Sequence, residues 1–273
     1  MLDFKDKLIV VTGAARGIGR GVAFEYAKHG AHIILLDILA DLLKETAEDM
    51  RKEGYTVYSF PCDLGSDEGV ASLGEQIVKE IGVPDILHNN AFWAPNGCLE
   101  DIDIAGCRKA LDISVLGYLR IIRAFINPMI ARKSGWIVNT ASPNGITPPA
   151  SYAEFGLPYN MCKAADISMS QALAAGLKKH GIGVSVIYPD ATKTGAMNNG
   201  GNAPKAFSDA ITEYFKTNGV TPEEAAVDFV EGVRQQKFMV FTYPNFDKIL
   251  VEYAKNGLDP NGDYSHVMEI HGG

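Results

Sequence analysis

Tyr159 and Lys163 lie four residues apart in a stretch, Tyr159 to Lys179, that reads as one long helix with Ala164, Ile167, Leu173 and Leu177 near its apolar face. Residues at i and i+4 share a helix face, so the phenol and the ammonium point the same way. A free tyrosine titrates near ~10 and exchanges protons poorly at neutral pH. A neighbouring ammonium favours the phenolate and lowers that value, which is what a general acid/base requires. Ser142 ends a strand upstream and offers a hydroxyl to hold a reacting oxygen beside the phenol. Tyrosine and lysine at this spacing also occur by chance on many helices. Their specificity comes from the combination with Ser142 and with a glycine-rich loop near the N-terminus.

That loop is Thr12-Gly13-Ala14-Ala15-Arg16-Gly17-Ile18-Gly19, preceded by the apolar run Leu8 to Val11 and followed by a helical stretch from Arg20 to Lys28. A buried strand, a glycine turn and a helix N-terminus make a site for a diphosphate. The first helical N–H groups are unpaired and partly positive, and glycine lets the backbone come close to the anion. An acid should end the next strand and hold ribose hydroxyls. His32 to Leu36 read as that strand, and Asp37 ends it, 18 positions after Gly19. The spacing T-G-x-x-x-G-I-G differs from the common G-x-G-x-x-G, and a plain strand-to-helix turn is the bland alternative. Asp37 in its expected place favours the nucleotide site.

Strand and helix patterns alternate along the rest of the chain. Helix is predicted over 40–53, 66–81, 104–133 (with a break), 206–216 and 222–236, and strand over 55–62, 86–89, 135–141, 183–188 and 238–242. The proline-rich segment 143–158 and the polar segment 189–220 read as loops that line a substrate entrance, and 243–273 as a tail. Strands separated by helices imply an α/β fold: a doubly wound parallel sheet of about seven strands, helices on both faces. With no repeat or linker, residues 1–273 form a single domain. Ligands in such a sheet bind outside the carboxyl ends of the strands. Gly13 to Gly19, Asp37, Asp63, Asn89-Asn90, Ser142 and Pro189 all fall there.

The net charge of -8 argues against nucleic acid or an anionic membrane as the main partner. It does not oppose a dinucleotide held by a helix terminus. Cys62, Cys98, Cys107 and Cys162 form no C-x-x-C pair and six histidines are scattered, so no metal site or disulfide framework is predicted. The N-terminal residues lack a signal-peptide core, and the sequence suggests no apolar run approaching the ~20 residues that span a membrane. A cytoplasmic protein is the expectation.

These pieces together resemble the short-chain dehydrogenase/reductase family over about residues 5–242. The matching motifs are Thr12-Gly13 with Gly17-Ile18-Gly19, Asp63-Leu64, Asn89-Asn90-Ala91, Ile137 to Ser142, Tyr159 with Lys163, and Pro189 to Thr194. The resemblance implies a Rossmann fold and hydride transfer between a nicotinamide and a carbonyl or alcohol carbon. It makes Tyr159 the general acid/base, has Lys163 lower its pKa and hold the nicotinamide ribose, and has Ser142 orient the substrate oxygen. The glycine loop (Gly13, Arg16, Gly17, Ile18, Gly19) would bind the cofactor with Asp37, Asp63 and Leu64 at the adenosine end. Asn90, Pro189, Thr192 and Thr194 would lie along it, with Thr194 at the carboxamide.

Four features depart from the family pattern. Ser114 stands in the place of an asparagine and is the fourth catalytic candidate, a serine that could still bind water. Phe92 and Asp190 each stand where glycine is usual. Ser142 and Tyr159 are 17 positions apart, about four more than usual, and the extra residues fall in 148–158. Asp37 would repel a 2′-phosphate, whereas Arg16 resembles members that use the phosphorylated cofactor. A carboxylate against a dianion is a direct penalty, while an arginine can turn to solvent, so NAD is predicted.

Trp93, Tyr152, Phe155, Met197, Phe207 and Tyr214 could wall an apolar pocket, and no Arg/Lys cluster suggests an anionic substrate. A bulky secondary alcohol or ketone is predicted, a hydroxysteroid being one case by family analogy. Tyr253, Tyr264, His266 and Met268 of the tail cover that pocket or a neighbouring subunit. The family also implies a homo-oligomer, tetramer or dimer, for which Ile121, Ile122, Phe125 and Ile126 are interface candidates; helix packing within one chain explains them too. Two other readings compete: a nucleotide-sensing protein that kept the fold without turnover, and a sugar-nucleotide epimerase or dehydratase, which the glycine spacing opposes.

Overall fold

The computed structural model describes residues 1–194, 201–242 and 245–259. Seven parallel strands form one sheet: β1 (Leu8–Thr12), β2 (His32–Asp37), β3 (Val57–Pro61), β4 (Ile86–Asn89), β5 (Gly135–Thr140), β6 (Ile182–Tyr188) and β7 (Met239–Phe241). Their order is β3-β2-β1-β4-β5-β6-β7, so the chain reverses direction across the sheet between β1 and β4. Loops diverge at that point, leaving a crevice at the carboxyl ends.

β1 and β2 carry continuous apolar runs, Leu8 to Val11 and Ile33 to Leu36, because both faces of the sheet are covered. Ile9 and Val11 of β1 belong to one core with Val22, Phe24 and Tyr26 of α1 (Gly17–Lys28), Leu43, Ala47 and Met50 of α2 (Ala40–Lys52) and a later helix carrying Phe229 and Val233. Val10 turns to the opposite core with Val70 and Ile77 of α3 (Asp67–Glu80). The predicted helix over 104–133 is α4 (Ile104–Leu111), a wider π turn over Asp112–Leu116, and α5 (Gly117–Arg132). Arg120 satisfies the loosened turn: its guanidinium donates to the Asp112 carbonyl at 2.8 Å and to the Leu64 carbonyl at 2.9 Å.

Contrary to the interface reading, Ile121, Ile122 and Phe125 turn inward and pack on the second core, with Ile126 partly buried beside them. The whole 104–132 helix has the length and apolarity of a membrane span, which corrects the expectation that no stretch does. In the fold Ile121, Ile122, Phe125 and Met129 of this stretch are buried in the second core, while Ile104, Leu116 and Leu119 stay exposed.

The loop 143–158 contains a short helix, α6 (Ala150–Ala153), before α7 (Leu157–Leu177). The remaining helices are α8 (Lys205–Asn218), α9 (Pro222–Arg234) and α10 (Phe246–Lys255). α9 opens with a capping box: Thr221 Oγ1 accepts from the Glu224 N–H and Glu224 accepts from the Thr221 N–H. The tail reading missed α10, which packs Phe246 and Ile249 against Tyr188 and Val186 of β6. Met197, Tyr264, His266 and Met268 lie outside the described residues.

Candidate active site

The glycine loop is shaped by backbone demands. Gly13 has φ of +65°, and a Cβ there would sit 2.7 Å from the Ala91 Cα. Asn90 ties the loop to β4: its N–H and that of Ala91 donate to Thr12 Oγ1 at 2.9 and 3.1 Å, and its side-chain amide donates to the Thr12 carbonyl at 3.2 Å. Thr46 Oγ1 donates to the Ala15 carbonyl at 2.9 Å, clamping the loop from α2.

Helix α1 has no side-chain cap and no acid in its first turn. Its N-terminal donors therefore remain available to an anion. Gly13, Arg16, Gly17 and Ile18 line the cleft, as do Asp63, Leu64, Asn90, Pro189 and Thr194.

Two cofactor candidates have other duties. Gly19 is buried behind the loop, and a Cβ there would collide with the Gly13 carbonyl, so its role is close packing of α1 on the loop. Thr192 borders the cleft but is 2 % exposed, and its hydroxyl donates to the Asp190 carbonyl at 2.8 Å. Gly19→Ala is expected to destabilise the fold by about 1–3 kcal/mol through overpacking. The check is a lowered urea midpoint at unchanged m value.

Asp37 stands at the end of β2 with both oxygens anchored, Oδ2 accepting from the Ala15 N–H at 2.9 Å and Oδ1 from the Leu39 N–H at 3.0 Å. The carboxylate is thereby fixed at the cleft wall. Asp63 is held similarly, accepting from the Gly65 N–H at 2.9 Å.

Ser142, Tyr159 and Lys163 converge on one stretch of the cleft. Ser142 is 6 % exposed and caps the turn at Pro143–Gly145, its Oγ accepting from the Asn144 N–H at 3.2 Å. Tyr159 is gripped edge-to-face by Phe92 at 5.0 Å and by Tyr152 at 5.6 Å between ring centroids. Lys163 is 3 % exposed, donates from Nζ to the Thr140 carbonyl at 2.6 Å, and lies 4.6 Å from the Phe92 centroid and 5.9 Å from that of Tyr159.

This geometry corrects one expectation. The resting Tyr159 phenol is not lowered but pushed up to about 12, burial outweighing the opposing hydrogen bond from Ser142. Lys163 is itself pulled down by burial. Its ammonium is directed at the Thr140 carbonyl and the Phe92 face, so its lowering influence on the phenol is weak in this arrangement.

Ser114 is a second correction. It is fully buried, its Oγ accepting from the Trp93 N–H at 2.9 Å and donating to the Trp93 carbonyl at 2.8 Å. With its one proton donated to the Trp93 carbonyl and the residue fully buried, the hydroxyl holds the segment after β4 in place rather than facing a proton relay.

The cleft has a volume of about 1330 Å³, larger than the few hundred to ~1,000 Å³ common for a single drug-sized ligand. Its outer part is aromatic. Trp93, Tyr152, Phe207 and Tyr214 line it, and Tyr253 of α10 reaches it from the tail. Phe155 stands behind, its ring 4.7 Å from that of Phe207. Asp190, in place of the usual glycine, accepts from the Ala191 N–H at 2.6 Å. Among the described residues no group of His, Cys, Asp and Glu forms a metal site.

A parallel sheet with a crossover crevice, an open helix N-terminus, an anchored acid on the cleft wall and a Ser-Tyr-Lys cluster place the fold in the Rossmann class. The short chain dehydrogenase family model matches residues 7–205, and the chain belongs to that family. It is 31% identical over 254 residues to 17-beta-hydroxysteroid dehydrogenase 13 of Mus musculus, covering 89% of this chain and 76% of that one. A short chain dehydrogenase/reductase of Burkholderia phymatum, solved with NAD, superposes with a TM-score of 0.85 at 23% identity, over 96% and 99% of the two chains. L-sorbose reductase of Gluconobacter frateurii, solved with NADPH and L-sorbose, superposes with a TM-score of 0.75 at 27% identity, over 88% and 97%.

Proposed function

We propose that this oxidoreductase interconverts a bulky, apolar secondary alcohol and its ketone, using NAD(H). The observation that carries the reading is the joint placement of Ser142, Tyr159 and Lys163 on a cleft whose other end is the glycine loop and Asp37. The open N-terminus of α1 and the cradle at Gly13 fit a diphosphate, and Asp37 fits an unphosphorylated ribose. When bound, the nicotinamide cofactor supplies or accepts the hydride.

The chain supplies the rest. Ser142 holds the substrate oxygen against the phenol. Tyr159, neutral at rest, donates a proton to the oxygen of a ketone or, ionised, takes one from an alcohol. Lys163 places positive charge behind it, and Phe92 and Tyr152 keep water from its flanks. The aromatic outer walls favour a large apolar substrate, for which a hydroxysteroid is the specific candidate. The mouse relative's name supports that class. The decisive experiment is turnover of a panel of hydroxysteroids and other bulky ketones with NADH and NADPH. NADH binding without turnover on any member would favour the sensor reading.

The four cysteines are free, which fits a cytoplasmic setting. A homodimer or tetramer is also proposed, built on exposed residues rather than on the buried isoleucines. Leu116 and Leu119 near the start of α5 and Met161 on α7 are 45%, 44% and 42% exposed. Sedimentation of the pure protein is expected to show a dimer or tetramer that Leu119→Glu weakens; a monomer would reject it.

A further inference from the structure

Helix α7 carries only two charged residues over its 21 positions, Lys163 and Asp166. Three residues apart, they share a face. Asp166 is fully buried, with Oδ2 3.5 Å from Lys163 Nζ. Its Oδ1 has no hydrogen-bond partner among the described residues. A buried carboxylate is costly unless it is paired, and the single cation beside it is the lysine of the reacting cluster. The backbone under the acid is fixed: the Asp166 carbonyl accepts from Ser170 Oγ at 2.6 Å, and Ser170 accepts from Asn139 Nδ2 of β5 at 2.8 Å.

We propose that Asp166 is a positioning residue for the hydride-transfer reaction: its carboxylate is the counter-charge that keeps Lys163 an ammonium, held on the Thr140 carbonyl and the Phe92 face beside Tyr159. The proposal rests on the dehydrogenase reading of this cleft. At 3 % exposure Lys163 has little water to support its charge, and beyond one carbonyl and the rings of Phe92, Tyr118 and Tyr159 its charged partner is Asp166. Burial lowers the lysine, and Asp166 is the strongest influence holding it up. Burial in turn raises Asp166, to about 7, against the pull of Lys163.

The other titratable groups facing the pair are Tyr118 from α5, and Tyr159 and Cys162 from α7 itself. All three are raised and neutral at pH 7. His88 of β4, 3.4 Å from Thr140 Oγ1, is lowered to about 3 by burial and is neutral as well. Above about pH 7, where Asp166 is mostly ionised, it therefore supplies the anion of this pocket.

The same carboxylate also disfavours the Tyr159 phenolate. The two influences differ in range. Lys163 is in contact with the acid, and charge interactions fall with distance, so support of the lysine dominates. The sign for activity follows. Lys163 loses its proton as pH rises through its folded pKa, and removing Asp166 brings that loss to lower pH.

Asp166→Asn keeps the shape and removes the charge. With NAD⁺ and an alcohol that the panel identifies, its kcat–pH profile is expected to lose its alkaline side about one pH unit or more earlier than the unmodified enzyme, a shift equivalent to tenfold in proton affinity. KM for the alcohol should change little. A uniform drop in kcat with an unmoved alkaline side would show a merely structural role and overturn the proposal. The second measurement needs no turnover: carboxyl NMR of aspartate-labelled protein, unmodified and Lys163→Met. One aspartate carboxyl is expected to titrate near 7 and to move higher when the cation is lost. A carboxyl indifferent to Lys163→Met would overturn the pairing even if no substrate were found.

Discussion

Tyr159→Phe is expected to lower kcat by about 10³-fold for both directions of the reaction, within the range that a positioned proton donor supplies. NADH affinity should change less than about threefold, because the ring keeps its contacts with Phe92 and Tyr152 and only the hydroxyl is lost. That split separates an enzyme from a sensor of the same fold. Stopped-flow binding and steady-state rates on one preparation measure it. An unchanged kcat would remove Tyr159 from the reaction.

The phenol also sets the pH dependence. Its resting value, pushed up to about 12, leaves the neutral form dominant at pH 7. Ketone reduction needs that neutral form as donor, so its rate should be flat through neutrality and fall only at strongly alkaline pH. Alcohol oxidation needs the phenolate, so its rate should rise with pH, approaching tenfold per unit while the phenol is mostly protonated and Lys163 is still an ammonium; burial lowers the lysine, so that rise ends before the phenol itself titrates. If the two directions showed the same pH slope, proton transfer by Tyr159 would not be limiting either.

The second large effect concerns the cofactor. Asp37→Asn is expected to reduce the preference for NAD over NADP, as a ratio of kcat/KM, by about 10- to 100-fold. A like charge set against a desolvated phosphate costs several kcal/mol, and each ~1.4 kcal/mol is tenfold. The asparagine keeps the shape of the anchored side chain and one acceptor for the Ala15 or Leu39 N–H, so the change isolates charge. Arg16, which also lines the cleft, would then face the phosphate without a competing anion. A wild-type enzyme already faster with NADPH would reverse the assignment, and the variant should then show no gain.

Much of the site was legible before any fold was built, because it depends on local pattern. Apolar runs at β1 and β2, glycines at 13 and 17 and an acid at 37 each follow from backbone geometry over a few residues. Tyr159 and Lys163 share a face by helical period alone. Asp166 carried a similar signal: it is the one acid on α7 and falls three residues after the one lysine. It was missed because an isolated Lys–Asp pair on a helix ordinarily means a solvated surface pair.

What the amino-acid order determined was the set of elements and the face on which each reactive group stands, since strand and helix periods are properties of contiguous chain. What only the tertiary structure decided was burial and partnership, which depend on distant segments. Phe92 and Tyr152 close over the phenol and raise it where the lysine alone would have lowered it. The Trp93 backbone takes the proton and one lone pair of the Ser114 hydroxyl. The sheet claims Ile121, Ile122 and Phe125, which the helix pattern left open to a subunit contact. α10 folds back to complete the pocket wall. The physical reason is common to all four: a side chain's ionisation and contacts are set by whatever excludes water from it, and the excluding groups come from other parts of the chain.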